Sequence, residues 1–185
     1  MSGIGHNSGR VDEPGKQWRT YAWAKARKAL MPRLPIEVVR RRVARAKELG
    51  LPYKTYAGLR AASGDDLIGF MFSTNALDVL SKGDAIAAEK ARKINELIEA
   101  RKLALMHKPI TAPQVVPPLQ AAYAAPAPLA PWNATRNHLR DTFIAAKTPA
   151  SRMVLVYDTA LEGEWADAAH MAGALPAPQF FGDAG

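Results

Sequence analysis

Asp65-Asp66-Leu67-Ile68-Gly69-Phe70-Met71-Phe72-Ser73-Thr74-Asn75 is the stretch on which the fold turns. Leu67 to Phe72 is an unbroken apolar run. Such a run reads either as a buried strand or as part of a buried helix. As a strand it would hand over to a helix capped by Ser73-Thr74-Asn75 and running through Leu80. As a helix it would start from Asp65 or Asp66. Gly69 weakens both readings. The helical one is preferred, and with it the fold class is mainly α.

Upstream, Pro35 to Leu49 carries the strongest helix pattern. Pro35 suits a first turn and Glu37 sits near the positive end of the helix dipole. Ile36, Val39, Val43 and Ala46 recur at helical spacing, as a packing stripe should. Gly50 ends the helix and Leu51 can fold back on its last turn. A second, short helix is predicted from about Tyr53 to Ala62, closed by Ser63-Gly64. Before these, Lys16 to Met31 reads as a helix that Pro32 stops. Residues 1–13 read as a disordered head with little to bury.

Downstream, Asp84 to Met106 reads as one long helix with a stripe of Ile86, Ile94, Leu97, Ile98 and Leu105. Pro109 to Pro131 holds 7 of the 14 prolines and no charge, which predicts an extended Pro/Ala linker over 109–131. Trp132 to Ala172 reads as a small helical segment. Arg152 to Tyr157 within it could be a strand, but no partner strand is evident. Residues 173–185 read as a flexible tail. The expectation is a basic helical domain over 14–108, a linker and a helical C-terminal appendage.

The 25 Lys/Arg against 17 Asp/Glu give a net charge of +8. The excess is local: residues 1–64 carry 14 Lys/Arg and 4 Asp/Glu, whereas residues 65–108 balance and residues 132–185 are slightly acidic. A concentrated positive field attracts polyanions, of which nucleic acids are the commonest. An anionic protein partner or a solvated face is the alternative. The absence of cysteine removes disulfides, thiolate catalysis and Cys-based zinc sites. No signal peptide and no apolar run of membrane-spanning length stand out, so the expectation is a cytoplasmic protein that makes no membrane contact.

Two helices meeting at Gly50, with Ala46 four residues ahead of it and Leu49, Leu51, Tyr56 and Leu59 at inward spacing, resemble a helix-turn-helix. Arg45 stands where that motif takes an apolar residue. Arg33-Leu34-Pro35 followed by Leu49-Gly50-Leu51-Pro52-Tyr53 also resembles the ribbon-helix-helix family of repressors and antitoxins, which needs a strand ahead of Pro35. Both resemblances cover about residues 33–60. They imply a dimeric DNA-binding protein of the transcriptional-regulator type. The short head Gly3 to Gly9, with Gly5-His6-Asn7, resembles that of bacterial prophage and mobile-element proteins.

On that reading Arg40, Arg41, Arg42, Arg45 and Lys47 neutralise phosphates. Lys54, Thr55 and Arg60 lie on or near the recognition helix, where base edges are read. The other reading is a protein-binding adaptor or structural component of a phage or host assembly, acting through the linker and C-terminal segment. Enzymatic signals are thin. His138 with Asp141, and Asp167 with His170, sit at helix-face spacing near Glu164, but no two histidines pair and no nucleophile motif is visible. The expectation is a protein with no catalytic residues, metal or cofactor.

Overall fold

A computed structural model of the protein describes residues 34–110 and 117–182. The chain divides after Val39. Of the first unit only Leu34 to Val39 is described, as the entry into the first helix. The predicted head over 1–13 and the predicted helix over 16–31 lie outside the described residues.

The mainly α expectation is overturned: the second unit is an α/β protein built on a five-stranded, all-parallel sheet. Its strands are β1 Gly69–Ser73, β2 Arg101–Met106, β3 Ala121–Ala124, β4 Met153–Tyr157 and β5 Gly173–Pro176, in the order β3-β2-β1-β4-β5. The helices are α1 Ile36–Glu48, α2 Tyr53–Ser63, α3 Ala88–Asn95, α4 Trp132–Ala145, α5 Ala160–Ala168 and α6 Ala177–Phe181.

The ambiguous stretch is therefore the central strand. Every residue of β1 is buried, because helices cover both faces of a parallel sheet and its strands lose the usual apolar/polar alternation. Phe70 and Phe72 join Val154, Val156 and Leu175 on one face, under Leu49, Tyr56, Ile94 and Phe180. Met71 joins Leu103, Leu105 and Leu155 on the other, under Leu139, Phe143 and Trp165 of α4 and α5. Gly69 is required by its neighbour. It stands opposite Arg101 in the β1–β2 register, and a Cβ there would run into the Arg101 backbone carbonyl.

The long helix expected over 84–106 is also corrected. Only Ala88–Asn95 is helical. The chain then turns through Glu99 at φ 48° and enters β2. Ile86, Ile94 and Leu97 do share one buried cluster, but Leu105 faces the opposite side of the sheet and Ile98 is exposed. The Pro/Ala segment contributes edge strand β3 from a proline-free gap between Pro118 and Pro126. The C-terminal segment is no helical appendage. Its β4 inserts beside β1, Gly69 facing Met153, so the sheet takes strands from both sides of residues 109–131. Residues 111–116 of the expected linker and 183–185 of the expected tail lie outside the described residues.

The two-helix hairpin is where the sequence pattern placed it. The Gly50 N–H donates to Lys47 O and the Leu51 N–H to Ala46 O, with Gly50 at φ 61°. This pair of bonds satisfies the last carbonyls of α1. Ala46, Leu49, Leu51 and Tyr56 fix the hairpin to the sheet core. Val43 of the expected stripe is 46 % exposed; burial has rotated toward Ala46 and Leu49.

Candidate nucleic-acid interface

The cations of the hairpin divide into two sets. Arg45 and Arg60 are engaged by the fold. Arg45 donates to Glu48 Oε2 at 2.8 Å, to the Leu67 and Glu99 carbonyls at 3.2 Å, and to the Ile98 carbonyl at 3.4 Å. It thus ties α1 to the entry of β1 and to the turn before β2. That is why an arginine, not an apolar residue, occupies this position. Arg60 pairs with Asp66 at 3.3 Å, and the Tyr56 hydroxyl donates to the same carboxylate at 2.6 Å. Burial, then the hydrogen bond to Asp66, holds the Tyr56 phenol above its ordinary ionisation range.

Arg41, Lys47 and Lys54 are exposed, and none pairs with a described residue. Arg40 is exposed beside them. Arg42 is half-buried, and its Nε is buried without a hydrogen-bond partner. On α2, Thr55 is half-buried and the exposed residues are Tyr53, Lys54, Gly58, Ala61 and Ala62. The helix therefore offers Tyr53 and Lys54 as its exposed side chains able to reach a base edge.

A second polar cluster lies at the C-terminal ends of β1, β2 and β4. Thr74 Oγ1 is 2.9 Å from His107 Nδ1 and also accepts the His107 backbone N–H at 3.1 Å. His107 Nε2 approaches Glu162 Oε1 at 3.3 Å, and the imidazole stacks on Trp165. Glu162 accepts from the Asn75 side-chain amide at 3.0 Å and from the backbone N–H groups of Asp158 and Thr159 at 2.9 and 3.0 Å. Hydroxyl, imidazole and carboxylate in a row is the order of a nucleophile, its base and an orienting acid. Here Thr74 is only 1 % exposed and its oxygen caps a strand end. The carboxylate meanwhile is filled by the capping of α5. The arrangement braces three strand ends.

The sequence reading passed over both His107 and Glu162. A usable signal was present for the second: Thr159-x-x-Glu162 is the spacing of a capping box. Of the His/acid neighbours noted in the sequence, His138 and Asp141 have other partners. His138 Nε2 bonds the Ala124 carbonyl at 2.8 Å and Asp141 pairs with Arg140. Among the described residues no group of three acidic or histidine ligands converges, and no helix is long and apolar enough to cross a membrane. No protein-family model, curated protein or solved structure matches the chain.

Proposed function

We propose that this is a nucleic-acid-binding protein that grips the phosphate backbone of a duplex through the outer side of the α1–α2 hairpin. The supporting observation is the sorting of its cations. Arg41, Lys47 and Lys54 stay at the surface of helices whose other side is fixed in the core by Ala46, Leu49 and Tyr56. Cations held on a rigid base meet phosphates without first being ordered, so less conformational entropy is lost on binding. With Thr55 half-buried and Arg60 paired, base contacts are few, and backbone contacts carry little sequence information. The reading is of sequence-tolerant DNA binding, which narrows the expectation of a repressor with a base-reading helix.

Fluorescence anisotropy with a labelled duplex tests it. Affinity should fall steeply between about 50 and about 200 mM salt, because each neutralised phosphate releases condensed counterions. Scrambling the duplex sequence should change affinity little. Absence of saturable binding to duplex DNA, single-stranded DNA and RNA at low salt overturns the proposal and leaves the protein-binding adaptor as the better reading.

A further inference from the structure

At the far end of the sheet from the Thr74–His107–Glu162 cluster, the C-termini of α4 and α5 border a groove of about 440 Å³. That is within the usual range for small-molecule sites. Its apolar lining includes Phe143, Ala150 and Ala168, and Ile144 beside them is 67 % exposed. Its polar lining is almost wholly basic: Arg136, Arg140, Lys147 and His170. Among the described residues, the one carboxylate paired to this set, Asp141, meets Arg140 across a pair about two-thirds exposed on both sides, an arrangement that water screens strongly.

Two of these basic residues hold an unusual backbone. Lys147 has φ 49° and His170 φ 53°. Each is the residue just past the cap of its helix, α4 or α5. The bonding is the same at both ends. Lys147 N–H reaches Ile144 O and Thr148 N–H reaches Phe143 O, while His170 N–H reaches Asp167 O and Met171 N–H reaches Ala166 O. Glycine is the common occupant of this left-handed position, since it has no Cβ to clash. A basic side chain could complement a helix dipole from the last turn, where the backbone is unstrained. Favourable dipole interaction therefore does not account for placing Lys147 and His170 at these two strained positions. What the positions share is that both residues line one groove.

We propose that this groove binds a small amphipathic anion: a carboxylate carried on an aromatic ring or a short alkyl chain. The apolar body lies along Phe143 and Ile144, and the carboxylate is met by Arg136, Arg140 and Lys147. The site is independent of the hairpin and of the nucleic-acid reading.

Isothermal titration of the full chain with 1-naphthoate, and with its uncharged counterpart 1-naphthylmethanol, tests the site. The naphthoate should bind saturably and the alcohol at least roughly tenfold more weakly, since the charge-assisted contacts to Arg136, Arg140 and Lys147 are lost. Lys147→Gly is the informative variant. It relieves the left-handed strain while removing the charge, so its thermal midpoint should rise as its naphthoate affinity falls severalfold. Arg140→Ala should weaken binding without that gain. A duplex added in excess should leave naphthoate binding unchanged. Absence of saturable binding, equal affinity for the acid and the alcohol, unchanged affinity in both variants, or displacement by the duplex would each overturn the proposal.

Discussion

Asn75 donates its side-chain amide to the buried carboxylate of Glu162, 87 residues later in the chain, at 3.0 Å. The loop leaving β1 is thereby joined to the first turn of α5, on the opposite side of the sheet. The same carboxylate takes the backbone N–H groups of Asp158 and Thr159 and the approach of His107. Three donors, with the His107 imidazole beside them, thus converge from three strand ends on one side chain that is almost fully buried.

Glu162→Gln is the sharpest probe of that convergence. The amide is the same size but presents N–H where at least one buried donor needs an acceptor. Leaving such a donor unsatisfied costs about 1–3 kcal/mol, and weakening the α5 cap adds up to about 1 kcal/mol. Urea unfolding should show a loss of about 1–4 kcal/mol with little change in slope. A loss below about 0.5 kcal/mol would show that water replaces these contacts readily.

Gly69→Ala should be costly for a different reason. The added methyl meets backbone, the Arg101 carbonyl opposite, and no rotamer change can relieve the clash. Strands β1 and β2 would have to separate at the start of their register. A destabilisation above about 2 kcal/mol is expected, as for overpacking in a rigid core. Val or Thr at this position should abolish folding. A stable Gly69→Ala protein would mean that β1 and β2 pair less closely at this end than the register requires.

The hairpin was legible in the sequence and the sheet was not, and the reason is physical. Helix α1 is marked by local chemistry: Pro35 at its start, Gly50 and Leu51 at its end. Strand β1 carries no such mark, because burial on both faces removes the alternation that identifies a strand. Strand β2 is misleading, since Lys102, Leu103, Ala104, Leu105 and Met106 are all strong helix formers; its pairing with β1 and β3 overrides that preference. The partner of β4 was missed because parallel strands pair across long connections, so no neighbouring strand is visible along the chain. The site followed the same rule. The exposed cations could be read from composition, but the role of Arg45 depends on the carbonyls of Leu67, Ile98 and Glu99, which only the fold brings within reach.

Alkaline titration should single out Tyr56. Its ionisation is pushed up by burial and by the neighbouring Asp66 carboxylate. A group whose folded value is raised gives its full stability contribution below its unfolded value, about 10 for tyrosine, and loses it as pH climbs through the folded value. Lys102 acts in the opposite sense: burial lowers its folded value, so its contribution is present above its unfolded value, about 10.4, and is lost as pH falls through the folded one. Absorbance near the phenolate band should therefore show a late-ionising component, and Tyr56→Phe should remove it. Asp66→Asn should shift it toward the ordinary range. If all tyrosines titrate together while the protein stays folded, Tyr56 is not held as described.

Mutation should separate the two kinds of cation on the α1–α2 hairpin. Arg45→Ala removes a guanidinium bonded to three carbonyls and to Glu48. These acceptors are partly exposed, so water recovers some of the loss, and about 1–2 kcal/mol of stability should disappear. Its effect on duplex affinity, measured where the variant is fully folded, should be small, because the charge is turned inward. The triple variant Arg41→Ala, Lys47→Ala, Lys54→Ala should do the reverse. Surface changes of this type usually alter stability within about 0.5 kcal/mol, and these side chains pair with no described residue. Duplex affinity should nevertheless fall at low salt, and the salt slope should flatten by up to about three contacts' worth. Denaturation and anisotropy on the same two proteins give both readouts. If Arg45→Ala weakens binding as much as the triple variant while remaining folded, the division of α1 into an inward clamp and an outward phosphate-binding set is wrong. The contact surface would then have to include the Arg45 side of the helix.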